Sequence, residues 1–167
     1  QRVSELPLLT ETEQQLLQGL NDTARALPQA ELCAHQLFEE QAARTPDAVA
    51  FIAEDEQLTY AELNARANQL AHYLRRNSVG VETVVGVCLT RGVSQLVSLL
   101  AVLKSGAVYL PLEPGHSEER LAAIIEETSP TLVLTEAWLA SSPPSAVRQL
   151  EFAAVQEELT QLPTSDA

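Results

Sequence analysis

Residues 84–134 restrict the fold more than any other part of the sequence, because strand-like and helix-like segments alternate along them. Three apolar runs have the length and β-branched content of strands: residues 84–89, 107–112 and 131–134. Between them, apolar residues recur at helical spacing over 93–103 and again after Ser117. Strands that are buried on both faces and joined by helices form parallel sheets with right-handed crossovers. The sequence therefore predicts an α/β fold with a doubly wound, mostly parallel sheet flanked by helices.

A helix-to-strand joint is predicted at residues 103–114. Gly106 stands where the apolar helix ends, and glycine adopts the positive φ of a helix C-terminus at little steric cost. Pro111 and Pro114 end the following strand, because proline cannot donate to a strand ladder. Lys104 could in principle reach a phosphate, but a cation in the last helical turn already interacts favourably with the helix dipole. We therefore favour a structural role for Lys104.

Two capping boxes predict helix starts in the first half of the chain. Thr10 is followed by Glu13 and Thr59 by Glu62, so that each threonine can cap a helix while the glutamate reaches back to it. Between the two boxes we predict a further helix and a hairpin: residues 31–44, 48–53 and 57–59. The inward side chains predicted for that further helix are Leu32, Leu37, Phe38 and Ala42.

The pattern predicts three segments along the chain. Residues 1–30 form a linker with a short helix, residues 31–160 form an α/β subdomain, and residues 161–167 form a frayed tail. Near the C-terminal end, Ser, Pro and Glu dilute the apolar pattern. Three short elements are still predicted there: a helix over 135–139, a strand over 148–152 and a helix over 153–159.

Composition and charge disfavour several classes of protein. Apolar residues make up 46% of the chain but aromatic residues only 4%, so we expect a core of Leu, Val and Ala. The net charge of −13 disfavours binding to nucleic acid or to an anionic membrane, since Lys and Arg contacts dominate both. No apolar run approaches the roughly 18 residues of a membrane span, and the first residues do not resemble a signal peptide. A cytoplasmic protein is the expectation.

The cysteines and histidines do not have the spacing of a metal site. Cys33 falls in a predicted helix and Cys88 in a predicted buried strand, so we interpret both as small core residues rather than as a redox pair. No histidine pairs with a cysteine or with another histidine at the spacing of metal ligands. The three histidines are His35, His72 and His116.

The glycines do not form a phosphate-binding loop. Neither G-x-G-x-x-G nor G-x-x-x-x-G-K-[ST] occurs in the sequence. The nearest candidate for an anion contact is Thr90-Arg91-Gly92, which follows a predicted strand, but we favour an ordinary strand-to-helix turn there. From the residues alone we predict a scaffold without catalytic, cofactor-binding or metal-binding side chains.

Two segments resemble core motifs of the adenylation domains of non-ribosomal peptide synthetases. Residues 58–63, Leu-Thr-Tyr-Ala-Glu-Leu, resemble the first core motif, L-[TS]-Y-x-E-L. Residues 103–110 resemble the second, L-K-A-G-x-A-Y-L, although Ser105 and Val108 stand where alanine is usual. Structural roles are expected for the matching residues. They are Leu58, Thr59, Tyr60, Glu62, Leu63, Leu103, Lys104, Gly106, Tyr109, Leu110 and Pro111.

The resemblance implies the N-terminal part of an adenylation domain, preceded by the linker from a condensation domain. Complete members use ATP and Mg²⁺ to convert an amino acid to an aminoacyl-adenylate, and then load it onto a carrier protein. The family's phosphate loop, amino-acid pocket and catalytic lysine have no counterpart among these residues, so no catalytic residue is carried over. The chain also departs from the family pattern at Glu113 and at His116-Ser117.

Our leading hypothesis is a structural or interaction module that is not catalytic alone. Its expected partners are other synthetase domains, such as condensation and carrier domains, or a tailoring enzyme. An incomplete sheet would expose apolar surface, so self-association is also expected. The alternative is a fragment of an active amino-acid-activating ligase, completed by further residues or by a second polypeptide. An unrelated α/β binding domain is the third possibility.

Overall fold

The computed structural model describes residues 9–26, 29–53, 56–136 and 147–166 of the 167-residue chain. The chain divides into two compact units, Gln1–Leu32 and Cys33–Ala167. The division lies close to residue 30, where the sequence predicts the end of the linker.

In its described residues, the first unit contains helix α1 (Glu11–Asn21). The predicted capping box is present at its start. The Thr10 hydroxyl accepts a hydrogen bond from the Glu13 N–H at 3.3 Å, and the Thr10 N–H donates to the Glu13 carboxylate at 2.7 Å. No residue of α1 is buried, and Leu16 and Leu20 are largely exposed. Capping and helical hydrogen bonds, rather than burial, therefore stabilise α1.

The second unit begins with α2 (Ala34–Arg44) and an antiparallel hairpin of β1 (Val49–Ile52) and β2 (Gln57–Thr59). The elements that follow are α3 (Tyr60–Arg76), β3 (Val84–Cys88), α4 (Val93–Lys104), β4 (Val108–Pro111), α5 (Glu118–Thr128) and β5 (Leu132–Thr135). After the undescribed residues 137–146, the chain continues with β6 (Gln149–Glu151), a 3₁₀ turn (Ala153–Val155) and α6 (Gln156–Leu159).

Strands β3 to β6 form a parallel sheet in the order β4-β3-β5-β6. Alternate strand residues belong to different faces. Val87 and Leu134 belong to the larger apolar cluster, which includes residues of α3, α4 and α6, whereas Val133 belongs to a second cluster that includes residues of α5. Helices thus cover both faces of the sheet. The predicted doubly wound α/β fold is confirmed.

The glycine in β3 permits close packing on the α5 face of the sheet. A Cβ atom added to Gly86 would lie 3.0 Å from Leu112 Cδ1 and 3.0 Å from Val133 Cγ2. Val133 is fully buried and its β-branched side chain is stiff, so it cannot move away freely. This position therefore requires a residue without a side chain.

The helix-to-strand joint has the predicted conformation. Helix α4 ends at Lys104, and Gly106 has a φ of +83°. The Gly106 N–H donates to the Leu103 carbonyl at 3.0 Å, and the Ala107 N–H donates to the Val102 carbonyl at 3.1 Å. These bonds satisfy carbonyl groups at the end of α4. The joint then leads directly into β4.

Helix α2 differs from its prediction at the N-terminal end. It begins at Ala34 rather than at residue 31, because Cys33 is extended and its N–H donates to the Gln36 side chain at 2.8 Å. Cys33 is therefore exposed at the helix start, which corrects the prediction of a core cysteine, whereas Cys88 is buried as predicted. Leu37 is 41% exposed and does not point inward.

The C-terminal end differs from its prediction as well. Leu162 is buried, and residues 162–166 lie against α3 rather than forming a frayed tail. The predicted strand and helix near residues 148–159 are present as β6, the 3₁₀ turn and α6. Most of the helix predicted over 135–139 lies outside the described residues.

Candidate functional site

The first motif forms the start of α3. The Thr59 hydroxyl accepts from the Glu62 N–H at 3.2 Å, while the Thr59 N–H donates to the Glu62 carboxylate at 2.9 Å. The predicted capping box is therefore present. Hydrogen bonds from the Thr59 N–H and then from its hydroxyl hold the pKa of the exposed Glu62 carboxyl below its usual value.

The apolar residues of this motif fix the entry of α3 into the core. Leu58 and Leu63 are buried in the larger cluster. The Tyr60 ring lies in a tilted arrangement against Phe38 of α2, with ring centroids 5.7 Å apart. The motif thus connects β2, α2 and α3.

Replacing Thr59 with alanine is expected to lower the free energy of unfolding of the second unit by about 1 kcal/mol, because the cap of α3 is lost. Since the folded-state pKa of Glu62 is lowered, the capping contribution is present above its unfolded-state pKa and is lost as the pH falls through the folded-state pKa. Urea unfolding followed by circular dichroism measures the change. Thr10→Ala removes the equivalent cap of α1 and should leave the unfolding midpoint of the second unit unchanged. Equal shifts in the two variants would contradict this assignment.

The second motif contributes a buried cation. The Lys104 side chain is fully buried and pairs with Glu39 of α2 and with Asp166, whose Oδ1 lies 3.2 Å from Lys104 Nζ. The two carboxylates come from opposite ends of the second unit. The Arg75 guanidinium also donates to the Lys104 carbonyl at 2.8 Å, which satisfies another group at the end of α4. Lys104 therefore connects α2, α4 and the C-terminal residues.

The Asp166 carboxylate is stabilised in its charged form. Burial alone would raise its pKa, but hydrogen bonds from Lys104, Asn64 and Asn68, together with the charge of Lys104, lower the pKa overall. The distances from Asp166 Oδ1 to Asn64 Nδ2 and Asn68 Nδ2 are 3.3 Å and 3.1 Å. Asp166 is thus an ionised partner of Lys104 at neutral pH.

The remaining residues of the second motif build the edge strand β4. Tyr109 packs against the larger cluster, and partial burial raises the pKa of its hydroxyl. Leu110 packs against the smaller cluster on the other face. Strand β4 ends at Pro111, opposite Val87, at a position where an edge strand tolerates proline. Leu103 lies in the last turn of α4.

Helix α2 brings the two motifs together. Phe38 contacts Tyr60 of the first motif, and the next residue, Glu39, pairs with Lys104 of the second. Sequence reasoning did not identify Glu39 or Asp166 as partners of Lys104, because they lie 65 and 62 residues away from it.

The carboxyl ends of β3 and β5 carry acidic rather than basic groups. The Thr90 N–H and hydroxyl donate to the Glu136 carboxylate at 3.0 Å and 2.6 Å. Burial, followed by the charges of Glu136 and Glu113, raises the pKa of the Cys88 thiol. A phosphate at this edge would meet the charge of Glu136. The geometry therefore favours the ordinary strand-to-helix turn at residues 90–92 over an anion contact.

An open groove of about 830 Å³ lies in the second unit beside α3, α4 and α6. Its apolar lining includes Val97, Phe152 and Leu159, and Glu56 and Arg66 form an ion pair of 2.6 Å at its side. Such a surface, apolar with polar groups around it, is suited to contact with another protein segment.

The side chains that bind metal ions are dispersed in this fold. Residues 9–26, 29–53, 56–136 and 147–166 contain no group of three His, Cys, Asp or Glu side chains arranged to bind a metal ion. Within the same described ranges, no helix has both the length and the apolar character needed to cross a bilayer.

The arrangement of capped helices around a parallel sheet, with both motifs in place, corresponds to a known family. The family model described as AMP-binding enzyme matches residues 38–166, which is more than half of the chain. The chain belongs to this family of AMP-binding enzymes. Within it, the chain corresponds to an N-terminal part of an adenylation domain of a non-ribosomal peptide synthetase, as its relatives indicate.

The relatives include a linear gramicidin synthase of Brevibacillus parabrevis, which is 44% identical over 168 residues. That match covers 100% of this chain and 2% of the relative. Chondramide synthase cmdD of Chondromyces crocatus is 42% identical, over 99% of this chain and 4% of its own length. The chain thus spans only a small part of these synthetases.

Solved structures agree with this assignment. The nonribosomal peptide synthetase FmoA3, in its α-methyl-L-serine-AMP bound form, is 28% identical, with a TM-score of 0.80. The match covers 94% of this chain and 17% of that chain. The N-terminal subdomain of Klebsiella oxytoca NpsA has a TM-score of 0.71 at 22% identity, over 80% of this chain and 34% of its own, and supports the fold alone.

Proposed function

We propose that this chain is a structural and interaction module of an adenylation domain and does not activate an amino acid by itself. The observation that carries the proposal is the use of the polar motif residues. Thr59 and Glu62 cap α3, and Lys104 pairs with Glu39 and Asp166, so these groups support the scaffold rather than point toward a substrate. We propose no residue of the chain as a catalytic, nucleotide-binding or metal-binding group.

The family uses ATP, and we propose that the complete adenylation domain also requires Mg²⁺ to form an aminoacyl-adenylate. Phosphoryl-group chemistry needs positioned donors and a metal ion to stabilise transition-state charge. In this proposal, parts of the domain other than residues 1–167 supply these groups. The chain contributes the folded support on which that site is built.

We further propose that the partners of the chain are other synthetase domains, including condensation and carrier domains, or a tailoring enzyme in the cytoplasm. The relatives are multidomain synthetases, which supports domain partners in general. The groove beside α3, α4 and α6 is one candidate contact surface. Exposed apolar side chains such as Ile52 and Val108 are a second one, and also favour self-association.

An amino-acid-dependent exchange of pyrophosphate into ATP tests the proposed lack of activity. The purified chain is expected to show no exchange above a no-enzyme control with any of the twenty amino acids. A complete adenylation domain of a related synthetase, assayed in parallel, establishes that exchange is detectable. Formation of an aminoacyl-AMP by the purified chain alone would refute the proposal.

A second candidate function is one half of an active ligase that another polypeptide completes. The match to FmoA3, which covers 94% of this chain and 17% of that synthetase, is the observation in its favour. Mixing the chain with a polypeptide that carries the remainder of an adenylation domain distinguishes the two. Exchange activity in the mixture, absent from each part, supports the split enzyme, whereas no activity supports the module.

A further inference from the structure

The last described residues of the chain bind α3 mainly through their backbone. Asn68 Nδ2 donates to the Thr164 carbonyl at 2.7 Å, and Gln69 Nε2 donates to the Leu162 carbonyl at 3.4 Å. His72 Nε2 lies 3.0 Å from the Ser165 carbonyl oxygen, which suits an imidazole N–H donor. We call residues 162–166 the C-terminal strap. Polar side chains spaced along α3 thus bind successive carbonyls of an extended segment.

The strap ends on the buried amine of Lys104. Asp166 accepts hydrogen bonds from Lys104, Asn64 and Asn68, and the Lys104 side chain has no exposed area with the strap in place. Lys104 is also the only lysine in the sequence. Its accessibility to an amine reagent therefore reports on the strap without interference from other lysines.

The composition of the strap allows it to open without global unfolding. Leu162 is its only buried residue, whereas residues 163–166 are exposed. Side chains of α3 hold the strap by hydrogen bonds to its backbone carbonyls rather than by apolar packing along its length. Segments with little buried apolar area and exposed hydrogen bonds open at a lower free-energy cost than the core around them.

We propose that the C-terminal strap is a latch that opens and closes locally over Lys104. In the closed state Lys104 pairs with both Asp166 and Glu39; in the open state it keeps Glu39 and becomes accessible to solvent. Asn68 is the positioning residue of this latch, because it donates both to the strap backbone at Thr164 and to Asp166. The sheet and α3 stay folded in both states.

The test measures the rate at which acetyl N-hydroxysuccinimide acetylates Lys104 in the full chain, with mass spectrometry of the peptide that contains it. A short peptide with residues 100–108 gives the rate for an unprotected lysine. Below the urea concentration at which the chain unfolds, the rate in the protein is expected to be lower than in the peptide and nearly independent of urea. Local opening exposes little surface and so has a small urea dependence.

Asn68→Ala is expected to raise the acetylation rate about tenfold, because two hydrogen bonds to the strap are lost. His72→Ala, which removes the contact with the Ser165 carbonyl, should raise it by a smaller factor. Ser165→Ala is the matched control, since it keeps the backbone carbonyl that His72 contacts, and should leave the rate within about twofold of the unsubstituted chain. Urea unfolding of each variant separates local opening from lower global stability.

Two outcomes would overturn the proposal. One is a rate in the unsubstituted chain that rises with urea in parallel with the global unfolding constant, because Lys104 would then be reached only through unfolding. The other is equal rates in Asn68→Ala, His72→Ala and Ser165→Ala. The first measurement needs no substitution, so it decides the matter even if Asn68→Ala fails to fold.

Discussion

Replacing Lys104 with methionine is expected to lower the free energy of unfolding by about 2–3 kcal/mol. Removing one partner of a buried ion pair typically costs about 3–5 kcal/mol, because the remaining charge is left without compensation. The value here should lie below that range, since the side chains of Glu39 and Asp166 are 23% and 59% exposed and water can reach them. Methionine keeps the apolar stem of the side chain, so the loss reports on the charge. Urea unfolding measures it.

Removing all three charges together provides the matched control for this prediction. The triple variant Lys104→Met, Glu39→Gln and Asp166→Asn leaves no unpaired carboxylate behind and should recover most of the lost stability. A single Lys104→Met variant that unfolds at the same urea concentration as the unsubstituted chain would show that the pair is not stabilising. A triple variant less stable than the single one would show that packing, rather than charge, dominates.

Introducing valine at Gly86 is expected to destabilise the chain by about 3 kcal/mol, the upper part of the usual range for overpacking. Even the first side-chain carbon would lie 3.0 Å from both Leu112 and Val133, and two further methyl groups must then find space. Because Val133 is fully buried in the central strand β5, relief requires movement of the sheet or of α5. The loss is measured as a shift of the urea midpoint.

The variant Gly86→Val combined with Val133→Ala tests whether crowding causes that loss. Removing two methyl groups opposite position 86 should make the double variant more stable than the sum of the two single effects. Gly80→Ala is the control for glycine replacement as such, because no atom lies within 4 Å of an added Cβ there. Additive effects at positions 86 and 133 would exclude crowding as the cause.

The fold was predictable where local sequence determines local structure. The capping boxes at Thr10 and Thr59 join residues three positions apart, and Gly106 occupies a backbone conformation that strongly favours glycine. The apolar runs that became β3, β4 and β5 are buried on both faces, so their composition alone distinguishes them from surface strands. Cys33 escaped prediction because a turn before α2 moves the helix start by three residues.

The candidate site was less predictable, because its contacts join distant parts of the chain. The helix position of Lys104 suggested only an interaction with the helix dipole, and nothing local identifies Glu39 or Asp166 as its partners. A weak signal did exist in α3. Asn64, Asn68 and His72 recur at a spacing of four, which places three polar side chains in one row along the helix. That row binds the C-terminal strap, which composition alone suggested was frayed.

The adjacent residues Phe38 and Glu39 have a consequence for engineering hybrid synthetases. One contacts Tyr60 and the other pairs with Lys104, so a recombination point between residues 40 and 103 takes these partners from different parents. Exchange points placed before α2 or after Asp166 keep the whole set together. Hybrids joined at those points should express as folded protein more often than hybrids joined inside the subdomain.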